Sequence, residues 1–216
     1  NSAPAITANP QSITLCASSN HTFTVGATGT ALTYVWEEST NGGGLYTPIV
    51  NGGVYSGQGT SSLTLTGITA GMNTYRYRCV VAGTCPSPAT STAAILTVET
   101  SVGITSQPAS SIVCDGANTS FTVAGSGSGI IYQWQVNTGS GFVNVPNGAP
   151  YSGANAATLN ITGVTPSMSG YQYRAQLSNA TCSTPGISNA ATLTVNALPS
   201  ISSSPASVTI CVGSNN

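Results

Sequence analysis

Six cysteines, Cys16, Cys79, Cys85, Cys114, Cys182 and Cys211, are the side chains of this 216-residue sequence best suited to chemistry. Structural zinc needs four ligands, usually as short-spaced pairs, whereas Cys16 and Cys85 lie far apart and His21 is the only histidine. The spacing therefore points to disulfides and an oxidising, extracellular setting. A hydrolytic triad needs a base, and His21 falls in an expected strand with no counterpart a repeat later. Glu37 and Glu38 are the only adjacent carboxylates, and neighbours on a strand face opposite ways, so they cannot flank one bond. Asp115 is the single aspartate, too little for a calcium site, and without lysine there is no Lys-Asn isopeptide staple. The sequence thus offers no catalytic residue, no cofactor-binding residue and no metal ligand set, and we expect a protein that is not an enzyme.

The cysteines belong to a larger pattern. Cys16, Trp36, Tyr77 and Cys85 return as Cys114, Trp134, Tyr173 and Cys182, at steps of 98, 98, 96 and 97 residues, and Cys211 comes 97 residues after Cys114. A domain-sized unit is copied in tandem, with repeat 1 over 1–99, repeat 2 over 100–197 and the N-terminal part of a truncated third repeat over 198–216. Both ends read as cuts within a longer protein. Glu99 to Val102 and Asn196 to Pro199 separate the copies, too short for free rotation, which predicts an elongated, semi-rigid rod.

Each copy breaks into short alternating runs bounded by Gly, Pro, Asn and Ser, the pattern of an all-β domain. In the first copy the expected strands are Ile6 to Ala8, Ser12 to Cys16, His21 to Gly26, Leu32 to Glu37, Leu45 to Val50, Ser62 to Thr66, Thr74 to Val81 and Ala93 to Val98, and the second copy matches them. Seven or eight strands in under 100 residues, with one central Trp and a late Tyr-x-Tyr, predict tandem immunoglobulin-like β-sandwiches. Period-two alternation turns Trp36, Trp134, Tyr77 and Tyr173 into the core and Glu37 outward, where Arg76 or Arg78 across the strands can pair with it. Tyr77 stands where such domains place a tyrosine whose hydroxyl satisfies nearby backbone.

The cysteine pair present in both copies is Cys16 with Cys85 and Cys114 with Cys182, so each is expected to staple its own domain. A loop of about 70 residues closed this way stabilises by about 4 kcal/mol in the chain-entropy view. Cys79, replaced by Ala175 in the second copy, reads as a buried small hydrophobe, with a Cys79 to Cys85 link or a reactive thiol as the alternatives. Cys211 is expected to find its partner beyond Asn216.

Only seven residues are charged, four acids against three arginines. Nucleic acid is excluded as a partner, since releasing its counterions takes clustered Lys or Arg, and no apolar run is long enough for a membrane span. Neighbouring repeats of the same protein, with self-assembly into a filament as one form, and a surface glycan are the partners that remain. Tyr46, Tyr55, Phe142 and Tyr151 fall near turns and are the candidate ligand contacts; partial burial at the sandwich edge is the competing reading. Asn20, Asn118, Asn160 and Asn179 each open an Asn-x-Ser/Thr sequon.

Ile104-Thr105-Ser106-Gln107-Pro108 through Cys114, Tyr132-Gln133-Trp134-Gln135, Tyr171-Gln172-Tyr173-Arg174 and Ala190-Ala191-Thr192-Leu193-Thr194-Val195 resemble the immunoglobulin-like or PKD-like tandem repeats of large secreted surface proteins of Bacteroidota, gliding-type adhesins among them. The resemblance covers nearly the whole chain. It implies a structural or adhesive module of a cell-surface or filament protein; such repeats also serve as carbohydrate-binding or spacer modules of secreted polysaccharide-degrading enzymes. It identifies the module and carries over no ligand residue.

Overall fold

A computed structural model describes residues 1–200 and Ser203. Cys211 and most of the expected third repeat therefore lie outside the described residues. In chain order the first half forms β1 (Ala5–Ala8), β2 (Ile13–Cys16), β3 (His21–Thr24), β4 (Gly26–Thr28), β5 (Thr33–Ser39), β6 (Thr47–Pro48), β7 (Tyr55–Ser56), β8 (Ser62–Leu65), β9 (Arg76–Ala82), β10 (Ala89–Thr90) and β11 (Ala94–Glu99). The second half repeats this as β12 (Gly103–Ser106), β13 (Ser111–Cys114), β14 (Thr119–Thr122), β15 (Ala124–Ser126), β16 (Ile131–Asn137), β17 (Phe142–Asn144), β18 (Tyr151–Ser152), β19 (Thr158–Ile161), β20 (Gln172–Ser178), β21 (Gly186–Ile187) and β22 (Ala191–Asn196). The two-residue strands β7, β10, β18 and β21 were not legible in the sequence, being too short to show alternation.

Each half is a sandwich of antiparallel sheets with one parallel pairing. The larger sheet of the first runs β2-β11-β9-β5-β6, with β10 also on β9; the opposing layer holds β3-β8-β7 and the pair β1-β4. The second half has the same order, strand for strand. The chain changes sheets between β1 and β2, and again between β12 and β13. Pro10 and Pro108, both buried, sit at these crossings, where a residue without an N–H ends one ladder before the next begins. Gly57 and Gly153 turn with φ of +81° and +76°, and a Cβ at either would fall on the carbonyl of Ser62 or Thr158, so the same tight turn demands glycine in both copies.

The core obeys the alternation. Trp36, Trp134, Tyr77 and Tyr173 are fully buried, and each indole Nε1 donates to a carbonyl across the interior, Thr60 O and Ala156 O, both at 2.9 Å. Phe23 stacks on Tyr77 at 5.1 Å and Phe121 on Tyr173 at 4.8 Å. Opposite Trp36 in the ladder stands Cys79, fully buried; opposite Trp134 stands Ala175. Cys79 is a free thiol, and burial pushes its pKa from 9.0 up to about 11, so it packs as a small hydrophobe.

Candidate functional site at the repeat junction

Among the described residues there is one disulfide, and it joins the two repeats rather than closing either. Cys16 bonds to Cys182, with Cα atoms 5.2 Å apart and a sequence separation of 166, while Cys85 and Cys114 are free thiols. The expected pairs Cys16 with Cys85 and Cys114 with Cys182 are corrected accordingly. The reason is geometric. Cys16 ends β2, whose parallel partner β11 carries Glu99 directly beside it, so Cys16 lies where the chain leaves repeat 1. Cys182 lies in the loop after β20, and its Sγ is 3.7 Å from the Glu99 carbonyl, so it lies where the chain enters repeat 2. Recurrence in each copy is equally compatible with pairing inside a copy and with pairing one copy onward; only the ends at which the residues sit decide between them.

The linker is held by more than sulfur. Thr100 N–H donates to Ser128 Oγ at 2.8 Å, and Asn179 Nδ2 donates to the carbonyls of Thr100 and Ser128 at 3.1 and 3.2 Å. Asn179 Oδ1 accepts the backbone N–H groups of Thr181, at 3.1 Å, and Cys182. Val102 is buried in the core of the second sandwich. Asn179 is itself buried with both amide atoms engaged, so of the four sequons this one is structural. Asn20 and Asn118 likewise accept from Gly67 N and Gly163 N, at 2.8 and 3.0 Å. The carboxylate Oε2 of Glu99 is buried without a hydrogen-bond partner.

Each of the four candidate ligand contacts makes a side-chain contact within its own sandwich. Tyr55 donates its hydroxyl proton to Glu38 Oε2, which leaves Tyr77, 3.1 Å away, to donate to Tyr55; Tyr151 and Tyr173 repeat the tyrosine pair at 3.2 Å. The expected backbone partner of Tyr77 is thus replaced by a second tyrosine, a residue the sequence placed near a turn. Burial raises the pKa values of Tyr77 and Tyr173, and burial with the Glu38 hydrogen bond raises that of Tyr55. Tyr46 and Phe142 each have one ring face covered by arginine, with Arg78 at 3.8 Å and Arg174 at 3.9 Å from the ring centres. Arg78 also pairs with Glu37 at 2.7 Å, directly across the ladder, and Arg174 donates to Gln135 at 2.9 Å. His21 packs edge-on against Phe23, and burial lowers its pKa.

Among the described residues no group of three or more His, Cys, Asp or Glu side chains is placed to hold a metal, and no helix is long and apolar enough to cross a membrane. These are immunoglobulin-like sandwiches in tandem, and comparison with solved structures agrees. An I-band fragment of titin superposes with a TM-score of 0.73 at 21% identity, over 91% of this chain and 67% of that one. The immunoglobulin domains 1–4 of Sidekick-1 give 0.67 and 20%, over 90% and 49%. Extracellular domains 3–5 of Drosophila OTK give 0.60 and 13%, over 89% and 62%. At these identities the likeness is one of fold. The second repeat, residues 103–197, matches the family model described as a domain of unknown function, DUF8696. No curated protein matches the sequence.

Proposed function

We propose that the chain is a non-enzymatic structural module of a large bacterial cell-surface or filament protein, in which stapled sandwiches form a stiff arm that holds a binding region away from the cell. The observation that carries this reading is the Cys16–Cys182 bond, which spends its covalent constraint on the angle between two sandwiches rather than on either core. A protein working by chemistry at one site gains little from fixing that angle; an arm that transmits force gains reach and stiffness. The tandem immunoglobulin-like fold, shared with titin and Sidekick-1 fragments, is compatible with a structural or adhesive role. The repeat boundaries at 99 and 197, the extracellular location and the resemblance to Bacteroidota surface proteins belong to the same proposal.

Electron microscopy of the protein on its producing cells, with antibody to these repeats, tests it. Straight beaded rods projecting from the surface support the arm, and ordered fibres of constant pitch support its filament form. Antibody confined to a soluble polysaccharide-degrading enzyme, together with glycan-array binding by the two repeats, would replace the reading with that of a carbohydrate-binding accessory module.

A further inference from the structure

We infer that Cys85 and Cys114 are the two open halves of the same inter-repeat staple, each made to bond an adjoining repeat of this kind in the same polypeptide, so that disulfides interlock successive repeats. The inference rests on the reading of the chain as an arm of tandem modules, and deepens it.

Both poles of the staple are built twice. At the pole that receives it in repeat 2, Thr100 N–H donates to Ser128 Oγ at 2.8 Å, Cys182 Sγ lies 3.7 Å from the Glu99 carbonyl, and Gly127 lets the backbone of Ser101 and Val102 pass close by. One repeat earlier, Ser2 N–H donates to Thr30 Oγ1 at 3.1 Å, Cys85 Sγ lies 3.8 Å from the Asn1 carbonyl, and Gly29 admits the backbone of Ala3 and Pro4. Each residue stands 97 or 98 positions from its counterpart. Cys85 therefore occupies the position from which Cys182 reaches back to repeat 1, set against the incoming chain in the same way.

The donor pole is duplicated as closely. After Cys16, Ala17 N–H donates to Glu99 O at 2.8 Å, Ser18 N–H to Ile68 O at 2.7 Å, and Ser18 turns at φ +70°. After Cys114, Asp115 N–H donates to Asn196 O at 3.0 Å, Gly116 N–H to Val164 O at 2.8 Å, and Gly116 turns at φ +78°. Cys114 is consequently presented on the turn that presents Cys16, and it is exposed where bonded Cys16 is half-buried. Cys85 is half-buried where bonded Cys182 is 3% exposed. Cys85 and Cys114 cannot satisfy each other within one copy, because they belong to the outward poles of the pair. Cys85 faces the N-terminal side of repeat 1, and Cys114 faces the C-terminal side of repeat 2.

Each staple forms when two thiols reduce a protein disulfide of the oxidising compartment: one S–S bond forms between repeats, the carrier's S–S bond breaks, and two protons and two electrons pass to the carrier dithiol. Partner choice is set by the linker. A segment as short as Thr100 to Val102 holds the next repeat's cysteine at high effective concentration, far above that of any cysteine on a separate chain.

The test is disulfide mapping of the full-length protein purified from its producing cells under thiol-blocking conditions, by mass spectrometry of unreduced proteolytic peptides. We expect the Cys16 peptide on the Cys182 peptide, the Cys114 peptide on the late cysteine of the repeat after it, and the Cys85 peptide on the early cysteine of the repeat before it. Alkylated Cys85 and Cys114 beside an intact Cys16–Cys182 bond would overturn the inference and leave the arm standing. Cys16 joined to Cys85 would overturn it too, and with it the Cys16–Cys182 bond from which the arm is argued. Cys114 of one molecule joined to Cys85 of another would overturn the same-chain assignment.

Discussion

At the level of single residues, the two copies form a natural mutation series. Cys79 and Ala175 face equivalent tryptophans, so the thiol is no part of the fold's covalent frame and its effect is that of a buried group which must stay neutral. The unfolded thiol ionises near 9.0 and the folded one near 11, so between these values the unfolded chain sheds a proton that the folded chain keeps. Stability from this group is whole below pH 9 and is lost as the pH climbs to about 11, by up to about 3 kcal/mol. Melting curves of the wild type and Cys79→Ala across pH 8 to 11 should diverge, the wild type falling more steeply; parallel curves would show that the thiol does not feel its burial. The raised tyrosines Tyr55, Tyr77 and Tyr173 act in the same direction in both proteins and leave a shared alkaline decline.

At the level of strands and sheets, each sandwich carries its own core and neither lends a buried tryptophan to the other. Removing the indole of Trp134 should cost about 3–5 kcal/mol, more than a marginal domain spares, and should unfold repeat 2 alone. Calorimetry of Trp134→Ala should show the repeat 1 transition persisting while the repeat 2 transition drops or vanishes; loss of both together would mean one cooperative unit. The main strands, their faces and the tryptophan and tyrosine anchors were legible in the sequence, because alternation with period two reports which side of a strand meets the core. A cross-strand partner for Glu37 among Arg76 and Arg78 was legible for the same reason, and the ladder register selects Arg78. The role of Tyr55 and Tyr151 was not, since a two-residue strand has no period and the tyrosine it delivers reaches its partner across the sandwich.

For the molecule as a whole, the disulfide register decides how load travels, and there the expectation of a staple inside each repeat is overturned by the Cys16–Cys182 bond. Matched cysteines in each copy fit a staple within a repeat and a staple to the next repeat equally well; which poles they occupy emerges only once β2 is laid parallel to β11 and the loop after β20 is set against the linker. With Cys16 bonded to Cys182, tension applied at the two ends passes through sulfur and bypasses residues 17–181, which comprise most of both sandwiches. In the chain-entropy view a closure of this length is worth about 5 kcal/mol, here shared between two domains and their docking. Single-molecule extension of the 216-residue chain, pulled from its termini before and after reduction, measures the bypass directly. We predict that the fully extended oxidised chain is shorter by the 165 residues between the bonded cysteines, roughly 540–590 Å at 3.3–3.6 Å per residue. Two separate hidden lengths instead, residues 17–84 and 115–181 at roughly 220–245 Å each, would return the staples to the individual repeats and contradict the inter-repeat bond.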